Sequence, residues 1–343
     1  MGLRAFRRIQ VSNVEGTPGV AEAAVEVLYG TLTFDDGLTI HYPEEDRNSL
    51  AKHHGNDIVV GKEAHLTWQG DLNFRQIVWA LAMAICGNIT PTQPDAVGQP
   101  SGYLWTFTPA ADAPNTPDEA DGIDTFTFEF GDDMRDYVAE FCFATRLEIS
   151  GAPNETVKFV CEITGRQVST GEGFTAELVA EDVQRAPFNL SKVYIDDAGG
   201  TIGLTQAEGL VKGVTWELET MFVASYGPDG ALYFATVDED RKAPVLTMTL
   251  KRGAAALAEE DAYLTRATRL IRWEILGAQE LDEEEANVPY LVLDQAVRYT
   301  EWPEWSDEDG RTTHEVTAEA VWDDDYGKLF EAALYTDLAA FPA

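Results

Sequence analysis

Positive charge is what this sequence has least of. Lys+Arg number 24 against 60 Asp+Glu in 343 residues, a formal net charge of −36. A protein that grips nucleic acid neutralises phosphates with a basic surface, and one that adheres to anionic lipid does the same. The balance argues against both. The deficit is also even. Residues 1–186 hold 29 acidic and 12 basic side chains, and residues 187–343 hold 31 and 12. It is not a tail. Cysteine is scarce too. Cys86, Cys142 and Cys161 are odd in number and widely spaced, so no disulfide framework is implied. No apolar stretch follows Arg4, Arg7 and Arg8, which argues against a secretory signal. The most apolar run, Ile77 to Cys86, is too short to span a bilayer. The expectation is a soluble, reduced, cytoplasmic chain. Its length allows roughly two domains.

Chemical motifs are missing as well. Gly55 to Lys62 lacks the spacing of a phosphate loop, and Glu63 stands where Ser or Thr belongs. There is no GxSxG elbow and no HExxH. His53 and His54 are adjacent, which does not put two imidazoles on one strand face, so a solvated loop is expected there. Ser306-Asp307-Glu308-Asp309-Gly310 has part of a calcium loop's spacing but no flanking helix pair. An acidic hairpin tip is the simpler account. With so many carboxylates, two approach somewhere, so the sequence leaves a glycosidase pair open without a positive sign of one. Of the eight Trp residues, several fall on the apolar side of alternating segments, so core packing is the default reading. Trp302 and Trp305 flank Pro303 in a loop, where a contact surface or a ligand platform would fit. The expectation is a protein that is not an enzyme, with no catalytic residue, cofactor or metal.

What is present is alternation with period two, the mark of half-buried strands. Thr125 to Phe130 puts three Phe on one face. Val157, Phe159, Cys161 and Ile163 share another. Val214, Trp216 and Leu218 alternate with Thr215, Glu217 and Glu219, and His314 to Glu319 repeats the habit. Asp35-Asp36-Gly37, Gly227-Pro228-Asp229-Gly230 and Asp309-Gly310 are hairpin signals. Two segments read as helices. Leu72 to Cys86 would be capped by Asp71 and ended by Gly87, and being apolar nearly all round it should be buried between sheets or at a subunit contact. Ala254 to Thr268 ends in Arg266 and Arg269, which suit the helix dipole. Thr90 to Pro100 and Ala110 to Gly122 read as long loops, and long loops in a compact domain usually have a job. Glu280 to Glu285 and Glu301 to Asp309 read as acidic loops.

The two halves echo each other. Gly61 to Trp68 is matched by Val211 to Trp216. Arg146-Leu147-Glu148-Ile149-Ser150-Gly151-Ala152 is matched by Arg272-Trp273-Glu274-Ile275-Leu276-Gly277-Ala278, and an alternating strand follows each. We read a diverged tandem duplication with its boundary near Ala180 to Pro187. The fold expected is mainly β, with two tandem β-sandwich or barrel domains, 1–183 and 184–343, each with a flanking helix.

Several segments, in order, resemble the tail tube proteins (major tail proteins) of long-tailed bacteriophages. Arg7 to Val11 through Glu15 to Gly19 is similar to the opening of such chains, as is Tyr29 to Phe34 followed by Pro43-Glu44-Glu45-Asp46. Gly165 to Val168 comes next. Lys192-Val193-Tyr194-Ile195-Asp196 with Gly199-Gly200-Thr201-Ile202-Gly203 is the most specific match, leading into Asp229 to Phe234. Phe330 to Ala339 resembles the last strand. The chain departs from usual members in its acidity and its neighbouring Trp loops.

The resemblance implies a structural virion protein, assembled in the host cytoplasm, whose rings stack into a tube for genome delivery. It implies self-assembly and other tail proteins, such as tape measure and terminator, as partners. DNA would pass through the lumen without specific binding, and no membrane is involved. Single-repeat members form six-fold rings, so a two-repeat chain should fill a ring with three copies. Carboxylates lining the channel would repel phosphates. Solubility or adaptation to salt also accounts for the charge, and the accounts are compatible. Glu217, Glu219, Glu315 and Glu319, on the polar sides of strongly alternating segments, are the candidate lumen-lining residues. The loops Asp46 to Asp57 and Thr90 to Pro100 are candidate contacts between rings or neighbours. Two alternatives remain at this point: a carbohydrate-binding or carbohydrate-cleaving β-sandwich, and another tail ring protein such as a terminator or baseplate component.

Overall fold

The computed structural model describes residues 7–43, 57–110, 122–171, 173–219, 222–228, 230–239, 244–281, 287–308 and 310–342. The chain is mainly β. The first half supplies β1 (Arg8–Val14), β2 (Ala24–Val27), β3 (Thr31–Asp35), β4 (Thr39–His41), β5 (Ile58–Gly61), β6 (Ala64–Asp71), helix α1 (Ile77–Ala84), β7 (Tyr103–Phe107), β8 (Phe126–Gly131), β9 (Asp136–Gly151), β10 (Lys158–Gly165) and β11 (Gln167–Thr170). The second half supplies β12 (Lys192–Asp197), β13 (Val211–Glu219), β14 (Phe222–Ser225), β15 (Thr236–Glu239), β16 (Val245–Lys251), helix α2 (Ala254–Thr265), β17 (Arg269–Leu276), β18 (Tyr290–Glu301), β19 (Ser306–Glu308), β20 (Arg311–Ala320) and β21 (Phe330–Thr336). Among the described residues all pairings are antiparallel, and a 17-stranded network holds every strand except the two small ribbons β4–β5 and β14–β15.

The pivot is β9. Its first part pairs with β8 and β11, and its second part with β10 and β13. One branch therefore runs β2–β1–β8–β9–β11. The other runs β3–β6–β10–β9–β13–β16–β20–β18–β17–β12. Where β9 passes between branches, Phe141 adopts φ 54, an uncommon value for a bulky residue. Strands that change sheet commonly do so at such irregularities. The displaced Phe141 N–H is not wasted: it donates to Glu15 Oε1 at 2.9 Å. The same buried carboxylate accepts from Thr125 Oγ1, Thr127 Oγ1 and Gly19 N at 2.7–2.9 Å. It thereby ties the β1 terminus to β8 and to the corner of β9.

The core follows from the alternation. Trp68, Trp79, Trp105, Trp216 and Trp273 are fully buried. Burying a large aromatic side chain is a dominant stabilising term. Every residue of α1 is buried, and Trp79 Nε1 donates to the Ser12 carbonyl at 3.3 Å. Phe341 closes this region, its ring 5.2–5.3 Å from those of Trp79, Trp105 and Phe126. All three cysteines are buried and none is in a disulfide.

Several expectations need correction. Asp71 does not cap α1. It ends β6, and residues 72–76 form a bridge and turn before the helix begins at Ile77. Asn73 Oδ1 accepts from Gln76 N at 2.7 Å there, a local bond that competes with helix. The helix ends at Ala84, short of Gly87. α2 ends at Thr265 because Arg266 takes φ 57, a left-handed cap, and Arg269 belongs to β17. Asp35-Asp36-Gly37 does not close a hairpin. It carries the chain from β3, which pairs with β6, to β4, which pairs with β5. Thr125 to Phe130 is not half-buried: Thr125, Thr127 and Glu129 are buried as well as the three Phe. The turn through Gly227 and Gly230 does join the paired β14 and β15, and the turn at Gly310 joins β19 to β20.

The pairing crosses residue 183. β13 joins β9, and β21 joins β7. Within each half, the β9–β10 and β17–β18 hairpins share one register. Ile149 faces Phe159 as Ile275 faces Leu291, and Leu147 faces Cys161 as Trp273 faces Leu293. The other echo is not carried into pairing. β6, with Trp68, lies between β3 and β10, whereas β13, with Trp216, lies between β9 and β16.

Candidate functional site

From β6 to β20 in pairing order the long branch has one apolar face and one polar face, set by the two-residue period of its strands, whereas β18 is buried on both faces from Leu291 to Val297. Val214, Trp216, Leu218, Leu246, Met248, Val316 and Ala318 are buried on the first. On the second, register places Gln69, Val160, Glu148, Glu217, Val245, Glu319 and Arg298 in one cross-strand row. A neighbouring row holds Thr67, Glu162, Arg146 and Glu219. Glu315 faces Thr249 on the same side, two residues along from the Thr247–Thr317 pair. The four glutamates singled out from the sequence thus share one face of one continuous sheet. Glu219, Glu315 and Glu319 are exposed and Glu217 is half-buried.

Like charges directly opposite one another destabilise a sheet, and Glu148 lies opposite Glu217. Arg146 answers this. Its guanidinium reaches Glu148 Oε2 at 2.6 Å, Glu162 Oε1 at 3.0 Å and Glu217 Oε1. The hydrogen bond to Glu217, ahead of the others and against the opposing effect of burial, holds the Arg146 pKa above its ordinary value. The cluster keeps a net negative charge. Further along, Arg272 makes a two-pronged contact with Asp294, at 2.8 and 2.6 Å. This geometry suits the planar guanidinium. Burial pushes the Asp294 carboxyl up, with Arg272 pulling the other way. Glu274 on the same side takes the Tyr194 hydroxyl at 3.2 Å and Lys192 Nζ at 3.4 Å.

Arg146 and Arg272 went unmarked as functional residues, although both head the echoed segments. Their equivalence was the available signal. Their partners lie up to 71 residues away, which sequence does not reveal. Among the remaining candidates, Thr92 bridges to Leu104 and Val97 is 95% exposed, so Thr90 to Pro100 lies on the surface. Most of Asp46 to Asp57, of Ala110 to Gly122 and of Glu280 to Glu285, with His53 and His54, lies outside the described residues. Trp302 is half-buried among Tyr263, Tyr299 and His314, whereas Trp305 is 65% exposed with Arg252 over its ring at 4.6 Å. Among the described residues no cluster of His, Cys, Asp and Glu has the arrangement of a metal site, and no helix is long and apolar enough to cross a membrane.

No family model matches the sequence, and no curated protein matches it.

Proposed function

We propose that this chain is a structural virion protein, a tail tube subunit that polymerises into stacked rings around an acidic conduit for DNA. The observation that carries the reading is the continuous antiparallel run from β3 to β12, whose part from β10 to β20 in pairing order has carboxylates on one face and the core on the other. Ten strands at about 4.8 Å spacing span about 48 Å, so three copies edge to edge give a circumference of about 144 Å before strand tilt widens it. That corresponds to a backbone diameter of about 45 Å. Side chains take up about 10 Å of it, half the ordinary distance between stacked sheets on each side, and a double helix fits in the rest. Glu217, Glu219, Glu315 and Glu319 would face the duplex and repel its phosphates, so that it slides without sticking. The domains 1–183 and 184–343 would each fill one of six quasi-equivalent positions in a ring of three chains. Tape measure and terminator proteins would be the further partners, and the virion tail the location.

Electron microscopy of the purified chain, with reconstruction of any polymer, tests this directly. The expected result is a hollow tube with three chains per ring and the four glutamates on its inner wall. Six chains per ring, or those carboxylates on the outer surface, would refute the assignment. A chain that stays monomeric at every salt concentration would refute the class.

A further inference from the structure

The β4–β5 ribbon leaves the large sheet after β3 and returns at β6. Its second strand is apolar and uncovered: Ile58 is 56% exposed, Val59 38% and Val60 49%. A two-stranded ribbon is marginal in water on its own, and an exposed β-branched strand is a template for another chain. The base of this arm, where Thr39 pairs with Gly61, is acidic, with Asp35, Asp36 and Glu63 against Lys62. A groove of about 720 Å³ runs along β3, lined by Ile9, Leu28, Leu32, Phe34, Phe130 and Tyr137. Its charge is the reverse of the chain's: Arg7, Arg8 and Arg135 stand there against Asp132, in a protein with 60 acids and 24 bases. Arg135 lies over the Tyr137 ring at 5.4 Å, which keeps a positive charge beside the apolar lining.

We infer that the β4–β5 arm of one copy seats in the β3 groove of the next. An apolar strand with an acidic base matches an apolar groove with a basic rim. The two surfaces differ, so a one-way contact is heterologous and propagates from copy to copy, whereas a reciprocal exchange of arms would close as a dimer and give no ladder in the test below. The inference rests on the polymerising reading above and gives it a named contact.

The test uses thiol cross-linking of the full chain. The three native cysteines are buried, so Val59→Cys on the arm and Met134→Cys, 66% exposed at the groove, supply the accessible thiols. With a short bismaleimide, a mixture of the two single variants should give a covalent dimer that neither gives alone. The double variant should give a ladder of multimers, and adding Arg135→Glu should lower its yield several-fold at low salt. Single variants that link only to themselves, or a double variant that closes within one chain, would overturn the contact. So would the absence of a ladder, with or without tubes. A ladder without tubes would uphold the contact and refute the tube reading.

Discussion

Replacing Arg146 by Met keeps most of the side-chain stem and removes the charge on which Glu148, Glu162 and Glu217 converge. The three partners are 24–47% exposed, so each pair is worth at most about 1 kcal/mol after solvent screening. Their sum gives an expected loss of about 2 kcal/mol. Glu148 and Glu217 then face each other unshielded. At about 5 Å and an effective dielectric of about 40, that repulsion is about 1.7 kcal/mol. Glu217→Gln should therefore change sign with its background. In the parent chain it breaks a favourable pair and is neutral or mildly destabilising. In Arg146→Met it relieves repulsion and restores about 1 kcal/mol. Urea unfolding of the unassembled subunit, followed by Trp fluorescence, measures all four corners of this cycle. In 1 M NaCl, where the screening length is about 3 Å, the effects should shrink by half or more. Equal stability of Arg146→Met and the parent at low salt, or the same sign for Glu217→Gln in both backgrounds, would refute the reasoning.

Burial pushes the Asp124 carboxyl up from 3.8 to about 6, against the Asn88 N–H that it accepts. The folded state thus holds its proton to higher pH than the unfolded chain, and stability falls as pH rises from about 4 to 6, by about 3 kcal/mol in total. In melts across that range, Asp124→Asn should lack this component of the slope, and a parallel pH profile would count against it. Glu15→Gln sets an amide NH2 against either the Gly19 or the Phe141 N–H, which can only donate and which meet different carboxylate oxygens, and should cost about 2–4 kcal/mol in denaturant titrations. Full stability in that variant would mean the β9 corner does not depend on the carboxylate. Trp216→Ala, at a site 1% exposed, should lose about 3–5 kcal/mol, whereas Trp322→Ala, at a site 50% exposed, should stay within about 0.5 kcal/mol. Similar losses in both would contradict the assignment of inner and outer faces.

Strands such as β6, β13, β16 and β20 were legible because one face of each is buried and the side-chain period is two. That parity alone placed Glu217 and Glu219 together on β13, and Glu315 and Glu319 together on β20. It did not say that the two pairs share a face, because this depends on the register of β16 between them. Nor did it foresee that β9 would be one strand with four partners, since its corner rests on Phe141 and on Glu15, 126 residues away. The apolar run from Leu72 misled for a simple reason. Leu72 and Phe74 are buried in a turn, and burial without a period does not distinguish helix from loop. At Asp35-Asp36-Gly37 the turn chemistry was real, since Gly37 takes φ 53, but a turn does not specify which strand pairs with which.

The shared register of the β9–β10 and β17–β18 hairpins bears on how a ring would close. Two copies of one hairpin, each headed by an arginine on the polar face, are what a duplicated subunit should retain. Yet their outer neighbours differ. β9 is flanked by β13, which links the two halves inside one chain. The equivalent side of β17 is flanked by β12. The outer edge of β12 is engaged by residues 205–207: Ile195 N donates to the Thr205 carbonyl at 3.0 Å and Ala207 N to the Val193 carbonyl at 2.8 Å. Asp196 fixes that segment by accepting from the N–H groups of Gly203, Leu204 and Thr205 at 2.8–3.1 Å. A junction between copies at this edge would therefore meet the 205–207 segment, whereas the junction inside the chain is strand against strand. In the proposed ring the two kinds of seam alternate, which makes the symmetry three-fold with a six-fold resemblance. Cutting the Asp196 anchor with Asp196→Ala should then weaken the seam between copies and leave the β9–β13 seam intact. Hydrogen exchange would show this as lost protection at residues 203–207 with unchanged protection in β13.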